Sequence, residues 1–229
     1  DSLMEWYLHE MSKKYTIKHN ELKHFLGINI TRTYQNKLAL DQSIQIYKTL
    51  KEFNKDIRSQ QEEAHGKEYT AIHDAITKYM KECNSYMELG VHQGGTASIA
   101  MLSKPKFIQL VDIDMSKYNK VLGPLAEKYC ENNNVQLVVK ECDSRGLGAM
   151  VNVDMLVIDS YHFAPFMKAE LDMHGNNVNK YIIAHDTSVI NGKPDTSLYD
   201  TLNDFATNNG WEVIERNTDN VGYTVLKRK

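Results

Sequence analysis

Tyr86 to Ala100 reads YMELGVHQGGTASIA. A short apolar run, Tyr86, Met87 and Leu89, gives way to Gly90. After Gly94 and Gly95 the small residues Thr96, Ala97 and Ser98 lead into Ile99, Ala100, Met101 and Leu102. The spacing predicts a strand, a glycine turn and a helix, the geometry that presents backbone N–H groups and a helix N-terminus to a ligand. A dinucleotide fingerprint needs G-x-G-x-x-G, and His92 stands where the second glycine belongs. The pattern is instead acidic-x-Gly-x-x-x-Gly-Gly-Thr, with Glu88 two residues ahead of the first glycine. A carboxylate in that place is expected to point toward a ligand amine or hydroxyl, because it would repel a pyrophosphate. The same string also suits an ordinary strand-to-helix turn that binds nothing.

Downstream, strands and helices alternate. Strands are expected at 107–111, 135–139, 154–158 and 181–184, with helices over 121–130, 164–173 and 198–205 and a loop over 188–196. Trp211–Ile214 and Tyr223–Leu226 follow with no helix between them, which predicts an antiparallel hairpin at the sheet edge. The fold class is α/β: a Rossmann-like, doubly wound, mostly parallel seven-stranded sheet with an antiparallel last strand. Residues 1–82 read as a helical N-terminal extension, a lid or dimerisation element, and 83–229 as the ligand-binding domain. Apolar stripes run through Leu3, Trp6, Tyr7 and Met11, through Leu22, Phe25 and Leu26, and through Leu40, Ile44, Tyr47, Leu50, Phe53 and Ile57. His65-Gly66 breaks the last of these, and Tyr69, Ile72, Ile76, Tyr79 and Met80 form another. All are expected to be packing faces. The segment 28–39 could be a loop at a substrate entrance.

The 229 residues can bury a sizeable core. A formal charge of −3 gives no electrostatic footprint for nucleic acid. Cys83, Cys130 and Cys142 are odd in number and lack C-x-x-C spacing, which suits reduced thiols in a cytoplasmic setting. Apolar runs fall far short of a membrane span.

The acidic residues carry the functional signal. Glu88, Asp112, Asp143, Asp159 and Asp186 each fall at or just after the end of an expected strand. In open α/β sheets that edge binds ligands, although any one Asp can equally cap the next helix. Asp112 lies about 20 residues beyond the glycine turn, where an acid on the second strand reaches a ribose diol. Asp114 is the nearby alternative and is expected to cap the following helix. Asp143 and Ser144 end the third strand, where an adenine amino group could be met. Strand neighbours lie about 5 Å apart, so Asp159, His185 and Asp186 are expected to converge. Two carboxylates and an imidazole that close call for a cation or a proton between them, and mixed O/N donors suit Mg, Mn or a similar divalent ion. His162, three residues after Asp159, is placed to act as a base beside it. The competing reading is a helix cap with structural histidines.

The segments ELGVHQGGTAS, LVDID, CDS and VIDSYHFAPFMKAELDMHGNNVNKYIIAHDT resemble the class I S-adenosylmethionine-dependent methyltransferases. Among these the chain is most similar to the cephalosporin hydroxylase/rhamnosyl O-methyltransferase group and the metal-dependent sugar O-methyltransferases. The resemblance covers about 86–227. It implies that Glu88, Leu89 and the turn Gly90, His92, Gly94, Gly95 and Thr96 hold the methionine part of the cofactor. It further implies that Asp112 and Ile113 hold the ribose and that Asp143 and Ser144 lie near the adenine. Asp159 is shared between cofactor and metal, and Asp159, His185 and Asp186 occupy the divalent-metal positions, with His185 where relatives carry an acid. His162 aligns with the lysine base of catechol-type enzymes, whereas the sugar enzymes place an acid one residue earlier, here Tyr161.

The expected activity is metal-assisted O-methylation of a small hydroxylated, sugar-like molecule, with no nucleic-acid or membrane partner and with a homodimer as the default assembly. The rivals are a cephalosporin-hydroxylase-like oxidoreductase, a nicotinamide enzyme, which His92 disfavours, and a non-catalytic nucleotide-binding module.

Overall fold

The computed structural model describes residues 47–147 and 152–229. The stripes and loop read within residues 1–46 lie outside the described residues. Helix α1, Leu50–His65, starts where Thr49 Oγ1 accepts the Glu52 N–H at 3.1 Å and ends at Gly66, whose φ is +93°. Its stripe buries Leu50, Phe53 and Ile57. A 3-10 turn, Lys67–Thr70, leads into α2, Ala71–Tyr79, which buries Ile72, Ala75, Ile76 and Tyr79.

Next come β1 (Ser85–Leu89), α3 (Gly95–Leu102), β2 (Phe107–Asp112), α4 (Ser116–Asn132), β3 (Gln136–Glu141) and β4 (Val153–Ile158). The chain continues through α5 (Ala164–His174), β5 (Val178–His185), α6 (Ser197–Asn208), β6 (Trp211–Asn217) and β7 (Tyr223–Arg228). The seven strands form one sheet in the order β3-β2-β1-β4-β5-β7-β6. The first five pair in parallel, while β7 runs antiparallel to both β5 and β6. The expected seven-stranded sheet and edge hairpin are therefore present. Within the expected loop, Val189–Ile190 and Lys193–Pro194 pair as a two-residue hairpin. A ladder that short leaves no periodicity to read.

Central strands β4 and β5 carry the apolar runs Met155–Ile158 and Tyr181–Ala184 because helices cover both sheet faces. One core layer contains Tyr86, Ile108, Leu110 and Val157 together with Phe53 and Ile57 of α1, Ile76 of α2, Ala97 of α3 and Leu122 of α4. The other contains Met87, Leu89, Leu156 and Ile182 with Met167 and Leu171 of α5 and Leu202 of α6. The expected boundary at 82/83 is not a packing boundary: α1 and α2 belong to the first layer, and Ile46–Lys229 is one compact unit. The apolar stripes of α1 and α2 are thus covered inside the chain. Among the described residues no helix is long and apolar enough to cross a membrane, and all three cysteines are free thiols.

Candidate functional site

The topology reverses direction between β1 and β4, and the two strand ends there come very close. A Cβ on Gly90, whose φ is +86°, would lie 2.1 Å from the carbonyl oxygen of Asp159. Gly94, φ +85°, faces the other way, and a Cβ on it would lie 2.2 Å from Leu122 Cδ2 of α4. These two glycines serve the chain's own packing. The N–H groups of Gly90, Val91, His92 and Gly94 in the turn are also committed internally. Val91 and His92 donate theirs to Asp112 Oδ2 at 2.7 and 2.8 Å, and Asp112 Oδ1 accepts the Asp114 N–H at 3.0 Å. Asp112 therefore ties the end of β2 to the glycine turn, and each of its oxygens keeps lone-pair capacity for a further donor.

Glu88 corrects the sequence reading. It is fully buried, accepts the Tyr86 hydroxyl at 2.7 Å and the Thr96 hydroxyl, and is absent from the walls of the two cavities at this edge of the sheet. Side chains alternate along a strand, so Glu88 shares the Tyr86 face beneath α3 while Leu89 enters the opposite core layer. Burial pushes the Glu88 carboxyl up to about 8, against its two hydroxyl donors. Both of its carboxyl oxygens are thus taken by hydroxyls of its own chain. Leu89 and Gly94 are likewise absent from those two walls.

Two cavities open at the C-terminal edge of the parallel strands. The larger, of about 410 Å³, is walled by Gly90, Asp112, Ile113, Asp143, Ser144 and Phe166, among others. The smaller, of about 280 Å³, is walled by Gly95, Thr96, His162, His185, Gln61 and Tyr69, among others. His92, Asp159 and Ser160 line both, so the two are lobes of one cleft meeting at the β1/β4 switch point. Such volumes are those of small-molecule sites.

In the larger lobe Ile113 presents an apolar side chain that is 75% exposed, and the Arg145 guanidinium lies 4.3 Å from the Phe166 ring centroid. Arg145 also engages both Asp143 oxygens, at 3.0 and 2.6 Å, which holds that carboxyl at about 2. Asp143 thus lies in the wall as half of an ion pair. Ser144 Oγ donates to Glu170 Oε1 at 2.6 Å, and Ser160 Oγ lies 2.8 Å from both Glu170 oxygens. Buried Glu170 on α5 thereby braces the loops after β3 and β4. At the junction Lys117 Nζ meets His92 Nε2 at 2.5 Å; burial first, then that ammonium, keep the His92 imidazole below its ordinary value.

The smaller lobe contains the acid–imidazole cluster. His162 Nε2 lies 3.1 Å from Asp186 Oδ2 and 3.6 Å from Asp159 Oδ1. His185 Nδ1 lies 3.1 Å from Asp186 Oδ2 and 3.2 Å from Asp159 Oδ1. The two carboxylates are bridged by His185 from the buried side, where it is 4% exposed, and by His162 from the open side, where it is 40% exposed. Asp186 takes φ +56°, a left-handed conformation uncommon outside glycine, and this turns its carboxylate into the cluster. Burial opposes charge on His185, but Asp159 and Asp186 raise its imidazole to about 10. Burial would also raise the Asp159 carboxyl, yet the two imidazoles hold it well below the usual carboxylate range. The hydrogen bond to Asp159 raises His162. Sequence reading separated a triad, Asp159, His185 and Asp186, from a base, His162. The geometry does not: donor atoms of Asp159, His162 and Asp186 all lie within 4.8 Å of one another.

Several lining residues escaped the sequence reading. Gln61, Tyr69 and His73 come from α1, the 3-10 turn and α2. The Tyr69 ring packs edge-on to His185 at 5.3 Å, and burial with the nearby Asp159 and Asp186 lifts its hydroxyl to about 12. Its place in an amphipathic stripe made it look like a packing residue. Nothing in the local sequence marks Arg145 or Phe166.

No protein-family model matches the chain, and no curated protein matches it in sequence. Solved structures are similar in fold. The magnesium protoporphyrin IX methyltransferase of Synechocystis PCC 6803 with bound SAM superposes with a TM-score of 0.52 at 13% identity, over 87% of this chain and 96% of that one. The N-methyltransferase NodS of Bradyrhizobium japonicum WM9, in complex with S-adenosyl-L-homocysteine, gives 0.50 at 9% identity, over 68% and 85%. The chain shares the Rossmann-like fold of these two methyltransferases.

Proposed function

We propose that the chain transfers a methyl group from S-adenosylmethionine to a hydroxyl of a small hydroxylated molecule such as a sugar or glycoside, assisted by a divalent metal ion. One observation carries this reading. A lobe suited to a nucleoside meets, at Asp159, a second lobe lined by Asp159, His162 and His185, with Asp186 bonded to both imidazoles.

The residues fit both groups. Asp112, held by three backbone N–H groups, is an oriented acceptor for a ribose diol, and Ile113 and Phe166 offer apolar faces for a base. Without a cation, the Asp159 and Asp186 charges are offset only by protons on the imidazoles. An N/O donor set of this kind suits Mg, Mn or a similar ion, whose binding displaces such protons. When bound, the ion would orient an acceptor hydroxyl and lower its pKa.

The chain's own contribution is placement. Methyl transfer needs an in-line approach of the acceptor oxygen, so holding the two substrates in adjoining lobes supplies most of the rate. Asp159 and Asp186 are fixed by His185, whose Nδ1–H lies between them. His162 Nε2 is the nitrogen on the open side of the cluster in the smaller lobe, and it either completes the metal's ligands or takes the acceptor's proton. The variant His162→Ala separates the two roles. Lost Mn²⁺ affinity identifies a ligand, and retained Mn²⁺ affinity with a flattened acidic limb in the rate profile identifies a base.

Calorimetric titration of S-adenosylmethionine with Mg²⁺, with Mn²⁺ and with EDTA tests the whole reading. Micromolar binding is expected. No binding under any condition would overturn it.

A further inference from the structure

The smaller lobe holds two buried polar atoms that the chain itself does not satisfy. Gln61 Oε1 on α1 and His73 Nδ1 on α2 are both shielded and have no hydrogen-bond partner, although both residues line the lobe. His73 is only 2% exposed. Leaving a buried polar atom unpaired costs about 1–3 kcal/mol, so such atoms are rare and each calls for an explanation. Two of them in one cavity wall are explained when a ligand supplies the missing bonds.

Their placement defines that ligand. A Cβ on Gly95 would lie 3.3 Å from both amide atoms of Gln61, so this amide rests against the glycine turn. Gln61 Oε1 needs a donor from the ligand. Burial first, then the Arg58 charge, push the His73 imidazole down to about 4, so the neutral ring offers one donor and one acceptor. A hydroxyl serves either role, whereas a carboxylate or phosphate oxygen cannot donate to Gln61. Among the described residues lining this lobe there is no Lys or Arg, and Asp159 is its acid. The imidazoles of His162 and His185 are already paired with Asp159 and Asp186, so an anionic acceptor would compete with those carboxylates for them. Tyr69 and Ile72 add apolar surface for the C–H face of a ring.

We propose that Gln61 and His73 are the recognition end of the acceptor subsite, holding two non-reacting hydroxyls of an uncharged polyol such as a sugar ring while a third faces Asp159 and His162. The assignment rests on the methyltransferase reading and adds that the acceptor is uncharged and which residues select it.

The test uses full-length protein saturated with S-adenosylhomocysteine and a panel of neutral methyl glycosides, their monodeoxy analogues and the corresponding sugar phosphates, read by saturation-transfer NMR and calorimetry. A neutral glycoside is expected to bind the wild type better than its phosphate. Gln61→Leu and His73→Phe are each expected to weaken it about tenfold, the loss of one hydrogen bond, with S-adenosylhomocysteine affinity unchanged. Gln61 lies on a half-buried helix position, so its variant remains informative if the His73 one does not fold. Unchanged glycoside affinity in both variants overturns the proposal, as does preference for the phosphate or an absence of glycoside binding. A fall in S-adenosylhomocysteine affinity with adenosine affinity retained would place the pair at the amino-acid end of the cofactor and also overturn it. Wild-type protein that binds no S-adenosylhomocysteine would instead sink the methyltransferase reading beneath it.

Discussion

Glu88 and Asp112 end adjacent strands, yet their surroundings give them opposite roles. Glu88 is buried beneath α3 and its carboxyl rises to about 8, while Asp112 accepts three backbone N–H groups at the cleft. A carboxyl raised in the folded state favours folding fully below its unfolded value and loses that contribution as pH climbs through the folded one. The melting temperature of the wild type is therefore expected to fall between pH 5 and 8.5 relative to Glu88→Gln, which keeps hydrogen-bonding atoms beside Tyr86 and Thr96 without ionising. Parallel pH profiles for the two proteins would show that Glu88 does not titrate in this window. Asp112→Asn keeps an acceptor for the turn but removes the charge, and S-adenosylmethionine affinity is expected to fall about tenfold or more. In the cluster, Mn²⁺ at a hundred times its dissociation constant is expected to stabilise the fold by about 2.7 kcal/mol. Differential scanning calorimetry should show that gain in the wild type and lose it in Asp159→Asn/Asp186→Asn.

At the scale of elements, the glycine turn works through contacts between segments. Gly94 has φ +85° and no room beside Leu122, whereas a Cβ on Gly146 meets nothing within 4 Å. Gly94→Ala is expected to cost about 1–3 kcal/mol from overpacking, with backbone strain added. Gly146→Ala should stay within about 0.5 kcal/mol of the wild type. Urea unfolding of the two variants checks this, and equal midpoints would contradict the close approach of α3 to α4. This turn was legible in part. Strand, turn and helix follow from Tyr86 to Leu102 by periodicity and glycine spacing. The direction of its amides was not, because Asp112, which accepts them, lies 21 residues from Val91.

Across the described residues, α1 and α2 are as much part of the packed body as the sheet. Phe53 is 1% exposed within the same core layer as Tyr86 and Ile108. Three donors, Lys78 Nζ, Tyr79 OH and Tyr223 OH, converge on Glu215 and link α2 to the antiparallel edge. Phe53→Ala is expected to destabilise the whole body by about 3–5 kcal/mol in one cooperative transition. Separate melting of a helical part and a sheet part, followed by circular dichroism and tryptophan fluorescence, would contradict the single core.

The sequence by itself determined the alternation of strands and helices, the antiparallel edge and the positions of the strand-end acids. Each depends on local period, on turn residues or on the β/α rhythm, and these are properties of neighbouring residues. Tertiary structure alone decided which acids face the cleft. It turned Glu88 inward and Asp112 outward, gathered His162 and His185 onto the same two carboxylates, and brought Gln61, Tyr69 and His73 from the N-terminal helices into the wall of the smaller lobe. Those outcomes depend on which sheet face a helix covers and on contacts between residues far apart in the chain, and no local pattern encodes either.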